Sequence, residues 1–228
     1  MLAVIQLTGL PEVRPGDDLA TLLGDAVERA GGLEAGDVLV VAQKVVSKAE
    51  GRVEQTDDVL GAVLREARVV RRRRGDLVIA ETKHGFVCAS AGVDRSNTRG
   101  EGWIVLLPED PDGSAAAIRS ALGDRFGTAP AVIVSDSFGR AWRQGTTDVA
   151  IGVAGMNALL DLRGEKDARG YELASTVIAV ADELAGAAEL VMGKAAGIPA
   201  AIVRGYAVPP GEGSARDLVM PPERDLFP

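Results

Sequence analysis

Two short and entirely apolar runs most constrain how this chain can fold. They are Val38–Ala42 and residues 131–134, and the second run continues into Ser135 and Asp136. Runs of this length and composition are too short to span a membrane and are typical of buried strands. We therefore expect two buried strands, the second of which ends on a carboxylate that is well placed to face a cleft.

The other elements are expected in a mixed order. Because helices and strands do not alternate regularly, we predict an α+β fold with mixed sheets and packed helices rather than a doubly wound sheet. We assign residues 1–208 to one domain, which could have two lobes, and residues 209–228 to an irregular tail with five prolines. Strands are predicted at residues 2–7, 77–81, 86–91, 103–107, 148–154 and 199–203, and helices at about residues 18–30, 57–68, 114–122 and 171–191. Asp112 is expected to cap the helix at residues 114–122.

Four consecutive arginines at positions 71–74 precede Gly75 and Asp76. We interpret this basic run as a solvated turn between two elements, because a charge run next to glycine usually faces water. The alternative is a clamp for an anionic ligand.

Charge, and the scarcity of His and Cys, limit the chemistry of the chain. It has 33 Asp and Glu against 25 Lys and Arg, a net charge of −8, with one His and one Cys. A nucleic-acid binder would need a basic face, so we expect no nucleic-acid partner. Any metal site must use mainly oxygen ligands, as sites for Mg²⁺, Mn²⁺ or Ca²⁺ do. His84 and Cys88 are expected to be structural.

The sequence also contains no targeting or membrane signal. No stretch approaches the roughly 18 uninterrupted apolar residues of a membrane span. The first residues lack the basic start of a signal peptide. We therefore expect a soluble, cytoplasmic protein without a membrane partner.

The segment that begins at Asp136 is the first candidate for a functional site. Asp136 and Ser137 are followed by Arg140 and Arg143. A carboxylate, a hydroxyl and arginines suit a metal–phosphate site, in which the acid holds a cation and the arginines meet phosphate or carboxylate oxygens. The alternative is an aspartate that caps a turn.

Two further segments could contribute to such a site. Asp94 and Asn97 lie close together in a predicted turn, where both could offer oxygen to a cation, although an Asx turn explains this segment better when it is taken alone. Lys44 and Lys48 follow the buried strand Val38–Ala42 and could reach a phosphate. Spacing alone does not show that these segments meet in space.

Taken together, these segments resemble the coenzyme F420-0:L-glutamate ligase family, the gamma-glutamyl ligases of deazaflavin cofactor biosynthesis. Six matching blocks run in family order over nearly the whole chain, which is more specific than any single motif. The blocks lie at residues 9–11, 45–52, 91–97, 107–114, 135–140 and 192–199.

The resemblance implies a reaction and an architecture. In the family, GTP phosphorylates the lactyl carboxylate of F420-0, and L-glutamate then attacks the acyl phosphate to give F420-1, GDP and phosphate. Some members add further gamma-linked glutamates. The family fold is α+β and forms an intertwined homodimer; its members need Mg²⁺ or Mn²⁺, and K⁺ can assist. Two alternatives stay open, a ligase of this fold for another carboxylate acceptor and a non-catalytic cofactor-binding homologue.

The resemblance also assigns site residues by position. Asp94 and Asp136 match metal-binding aspartates, and Ser137 matches a metal-binding hydroxyl. The general base is not assigned, and Arg140 and Arg143 are the catalytic candidates. The expected nucleotide-binding residues are Gly9, Leu10, Pro11, Gln43, Lys44, Lys48, Asn97, Gly193, Lys194, Ala195, Ala196, Gly197, Ile198, Pro199 and Ala200.

Three of these positions depart from the family pattern. Gln43 and Lys44 stand where some members have two hydroxyl residues that contact the nucleotide, so Lys44 is expected to contact phosphate directly. Lys194 stands where some members have a Glu or Gln that can bind a second cation. A protonated lysine does not bind Mg²⁺, which puts a second metal site in doubt.

Overall fold

The computed structural model describes residues 1–96 and 100–226. Its helices are α1 (Leu19–Arg29), α2 (Gln43–Ala49), α3 (Val59–Glu66), α4 (Pro111–Phe126) and α5 (Val180–Met192). Its strands are β1 (Ala3–Gln6), β2 (Val38–Ala42), β3 (Val53–Gln55), β4 (Ala67–Arg74), β5 (Leu77–Thr82), β6 (Val87–Ala89), β7 (Trp103–Val105), β8 (Ala131–Arg140), β9 (Arg143–Ala154), β10 (Leu160–Asp161), β11 (Val177–Ile178) and β12 (Ala200–Arg204).

The two apolar runs form the centre of the largest sheet. Its strand order is β1-β12-β2-β8-β9, and β2 pairs with β8 in parallel, whereas the other pairs are antiparallel. The side chains of both runs are almost fully buried, because helices α1, α4 and α5 contribute to the same hydrophobic core. The α+β class and the two buried strands predicted from the sequence are confirmed.

A second, smaller hydrophobic cluster lies beside this sheet. It contains residues of α3, of the three-stranded sheet β4-β5-β6 and of the two-stranded sheet β3-β7. The domain limits at residues 1–208 and 209–228 stay a prediction. Within residues 209–226 two short 3₁₀ turns occur, Ala215–Leu218 and Pro222–Arg224, and Ala215 packs into the main core.

The arginine run at positions 71–74 is not a turn, as the sequence suggested, but the end of strand β4. The strand pairs with β5, and the turn itself lies at Gly75 and Asp76. The side chains of Arg68 and Arg71 both donate to the buried carboxylate of Glu81, so charge pairing across the sheet stabilises the extended conformation.

Helix and strand limits differ from the prediction at several other places. The helix predicted at residues 171–191 begins only at Val180, because β11 first pairs with β10. Helix α4 begins at Pro111 with Asp110 as its cap, whereas Asp112, the predicted cap, accepts a hydrogen bond from the Val153 N–H at 2.7 Å. Helix α2 was not predicted, and residues 137–140 extend β8 instead of forming a loop. Among the described residues, none of the helices has the length and apolar character needed to cross a membrane.

Close packing between β9 and α4 gives a test of this arrangement. A Cβ atom added at Gly152 would overlap the backbone carbonyl group of Pro111, whereas one added at Gly139 would meet no other atom within 4 Å. We therefore expect Gly152→Ala to lower the free energy of unfolding by about 1–3 kcal/mol, as overpacking does, and Gly139→Ala to change it by less than about 0.5 kcal/mol. Urea unfolding measures both; equal stability of the two variants would contradict the packing.

Candidate functional site

A cavity of about 390 Å³ opens at the ends of the parallel strands β2 and β8. In parallel pairs the carboxyl ends of both strands meet at one edge of the sheet, which is where ligands commonly bind. Residues Gln43 and Lys44 follow β2 here, and Asp136 lies directly beyond the last register pair, which joins Ala42 to Ser135. Residues 10–13 and 192–199 provide the opposite walls.

Most of the predicted nucleotide-binding positions line this one cavity. Gly9, Ala196 and Ala200 lie in the same segments but do not line it, and Asn97 lies outside the described residues. The predicted metal ligands are also part of its wall. The predicted residues that line the cavity are Leu10, Pro11, Gln43, Lys44, Lys48, Asp94, Asp136, Ser137, Gly193, Lys194, Ala195, Gly197, Ile198 and Pro199.

Arg140 and Arg143 lie apart from the cavity wall. They face each other in the register at the tip of the β8–β9 hairpin, and both are exposed. The guanidinium of Arg140 donates to the backbone oxygen of Gln144 at 3.4 Å. Their catalytic role stays a prediction.

Asp136 is a partly buried carboxylate at the cavity. The pKa of its carboxyl group is raised to about 7, chiefly by burial and also by the charges of Asp94 and Asp148, while the Ser137 N–H and the charge of Lys194 act in the opposite direction. A carboxylate in this position gains from any added positive charge. The site is therefore suited to a cation.

Asp148 was not selected from the sequence, although it belongs to this cluster. It lies on β9 opposite Ser137 and is nearly fully buried. The hydroxyl of Ser135 donates to Asp148 at 2.9 Å, and the hydroxyl of Ser137 donates to its other oxygen. The ammonium of Lys194 contacts Ser137 and lies 3.6 Å from the Asp148 carboxylate. Asp148 thus fixes the hydroxyl of Ser137 and attracts Lys194 to the cavity.

The negative charge of Asp94 is balanced by Lys44, another lysine that lines the cavity. The Lys44 ammonium lies 2.9 Å from the Asp94 carboxylate and donates to the Ser96 hydroxyl at 2.8 Å. Burial alone would raise the pKa of Asp94, but the Ser96 N–H and Lys44 outweigh it and hold that pKa below its usual value. Asp94 is therefore ionised at neutral pH.

Gln43 offers a hydrogen-bond donor that the described protein does not use. Its oxygen accepts from the Ser47 hydroxyl at 2.8 Å, which fixes the orientation of the amide. Its Nε2 is buried at the cavity wall without an acceptor among the described residues. Buried donors are almost always paired, so Nε2 is well placed to donate to a bound ligand.

The oxygen atoms of this site suit a hard divalent cation that takes its remaining ligands from water and substrate. Asp94, Asp136 and Ser137 supply oxygen only, which Mg²⁺ and Mn²⁺ prefer. Within residues 1–96 and 100–226, no three His, Cys, Asp or Glu side chains are grouped closely enough to hold a metal ion by themselves. Mg²⁺ usually binds one or two carboxylates and completes its coordination with water and substrate phosphates, so this arrangement suits a phosphate-dependent site.

The other two titratable residues singled out in the sequence are structural, as expected. Cys88 is buried, and burial together with the Asp136 charge raises the pKa of its thiol to about 12, so the thiol stays protonated at neutral pH. The ring of His84 stacks on Phe86, and its Nε2 lies 3.1 Å from the Glu109 carbonyl oxygen.

Comparison with known proteins places this geometry in a family. The family model described as F420-0:Gamma-glutamyl ligase matches residues 8–205. The chain is 41% identical to a coenzyme F420:L-glutamate ligase of Methanothermobacter thermautotrophicus, with 99% of this chain and 98% of the relative covered. It is 42% identical to the protein of the same name from Methanopyrus kandleri, with 95% and 93% covered, and 43% identical to that from Methanocaldococcus jannaschii, with 86% of each covered.

The electrostatic coupling at the cavity can be tested without a ligand. Since the Lys194 charge lowers the pKa of Asp136, we expect Lys194→Met to raise that pKa above about 7. The pKa is measured by NMR titration of the aspartate carboxyl carbons. Lys83→Met, which removes an ammonium paired with Glu66 outside the cavity, is the control and should leave the pKa of Asp136 unchanged. Equal titration curves for both variants would contradict the coupling.

Proposed function

This chain belongs to the F420-0:gamma-glutamyl ligase family, and from that premise we propose that it joins L-glutamate to coenzyme F420-0 in a GTP-dependent reaction. The observation that carries the proposal is the meeting of Asp94, Asp136 and Ser137 with Lys44 and Lys194 in one cavity. Oxygen ligands for a cation and ammonium groups for phosphate are the parts that phosphoryl transfer requires.

The proposed reaction has two steps. An oxygen of the lactyl carboxylate attacks the γ-phosphorus of GTP, the bond to the β-phosphate oxygen breaks, and GDP leaves. The amine of L-glutamate then attacks the acyl carbon, phosphate leaves, and the amine loses a proton as the amide forms. The products are F420-1, GDP and phosphate, and repeated cycles would add gamma-linked glutamates.

The chain's own residues account for binding and orientation. Lys44 and Lys194 can turn from Asp94 and Asp148 towards phosphate oxygens, since an ammonium contacts phosphate as a point charge. The Nε2 of Gln43 donates to the nucleotide. Pro11 and the residues near Pro199 line the cavity and would contact the nucleotide there.

Asp94, Asp136 and Ser137 are the residues that would hold Mg²⁺ or Mn²⁺. When bound there, the cation neutralises charge on the phosphate during transfer. Because Lys194 stands where some family members have a ligand for a second cation, we propose that one divalent cation binds. Assistance by K⁺ and the homodimer belong to the same proposal and follow from the family resemblance, and the cytoplasmic location expected from the sequence belongs to it as well.

A ligation assay tests the proposal. Protein incubated with GTP, Mg²⁺ or Mn²⁺, L-glutamate and F420-0 is expected to convert the acceptor into a product heavier by one glutamyl unit, detected by mass spectrometry. Asp136→Asn should lower kcat at least about 100-fold, because it removes a charge that acts during phosphoryl transfer.

The matched control is Asp124→Asn, which neutralises an exposed aspartate on α4 and should retain full activity. Circular dichroism and the unfolding midpoint establish that both variants are folded. An unchanged acceptor mass with every cation tested would contradict the proposed function, and full activity of Asp136→Asn would remove Asp136 from the reaction.

A further inference from the structure

A second cavity, of about 420 Å³, opens against the same carboxylates. One side of this cavity is formed by the end of β6 and the segment that follows it, and the other side by the distal half of β8. Asp94, Asp136 and Ser137 line both cavities, so these three side chains are the wall where the two spaces adjoin. A ligand in the second cavity would reach the same carboxylates without entering the space proposed for the nucleotide.

We propose that this second cavity binds the acceptor end of F420-0, which is a lactyl phosphodiester whose free carboxylate is phosphorylated in the proposed reaction. The inference rests on the proposed function and assigns a site for the acceptor. Phosphoryl transfer places the attacking and leaving oxygens roughly in line on opposite sides of the phosphorus. With the nucleotide in the first cavity, the attacking carboxylate has to approach from another direction, and the second cavity shares all three of these side chains with the first.

The chemistry of the second cavity agrees with this ligand. Arg95 and Ser96 lie at its edge and supply a guanidinium and a hydroxyl, which suit a phosphodiester oxygen. Val93 and Phe138 give it an apolar surface for the carbon atoms between the two acidic groups. The neutral thiol of Cys88 adds no negative charge to the wall.

The volume sets how much of the acceptor enters. A space of about 420 Å³ is in the lower part of the range for small-molecule pockets, which runs from roughly 300 to 1,000 Å³. It is therefore large enough for a carboxylate together with a neighbouring phosphodiester.

Two bulky substitutions test the assignment from opposite walls. Ala89 is an exposed residue of β6 at the cavity, and Gly139 has free space at its Cβ position on β8. We expect Ala89→Phe and Gly139→Leu each to raise KM for the acceptor at least about tenfold, which corresponds to ~1.4 kcal/mol of lost binding. Arg95→Met should raise the same KM by removing the charge. Gln144→Phe adds bulk at an exposed position of the same hairpin that lines neither cavity, and its KM should be unchanged.

Nucleotide binding separates this inference from the proposed function. Calorimetry with GTP and Mg²⁺ should give dissociation constants within about twofold of the unsubstituted protein for all four variants, since the first cavity is unaltered. An active unsubstituted protein whose two bulky variants keep their acceptor KM would overturn the assignment and leave the proposed function standing. Loss of GTP binding in the two folded bulky variants would also overturn it. An inactive unsubstituted protein would instead overturn the proposed function.

Discussion

The arrangement of this protein depends on how one buried negative charge is balanced. Asp136 lies where the central strand β8 leaves the core, and Asp94 and Asp148 add their charges to its surroundings. Burying a carboxylate among others is costly unless positive charge is close. Lys44 on α2 and Lys194 in the loop after α5 supply part of that positive charge. The negative charge that remains is the physical reason to expect a cation and anionic phosphate to enter together.

The sheet topology explains why these groups meet. β2 and β8 are a parallel pair within an otherwise antiparallel sheet, so both strands leave the core at the same edge of the sheet. The start of α2 and the polar residues of β8 are therefore neighbours, although more than 80 positions separate them in the sequence. The hairpin between β8 and β9 then places Asp148 directly beside Ser137. Nothing in this arrangement requires a common phosphate-binding motif.

Part of this could be predicted from the sequence. The apolar runs predicted the two central strands, because their short length, unbroken apolar character and β-branched residues indicate buried strands. Asp136 was found because it follows such a run. Asp148 was missed because its role depends on the hairpin register, which local sequence does not reveal. The prediction of a helix from residue 171 was also partly wrong. The residues before Val180 include strand β11, which pairs with β10, and this pairing outweighed the local preference for a helix.

The central claim is that Asp94, Asp136 and Ser137 hold a divalent cation together with nucleotide phosphate. The most direct test is a crystal structure of the protein with GDP and Mn²⁺, with anomalous diffraction used to locate the manganese. The account predicts an anomalous peak at bonding distance from oxygens of all three residues and from a phosphate oxygen. Nucleotide bound in the cavity with the manganese elsewhere, or with no manganese bound, would contradict it.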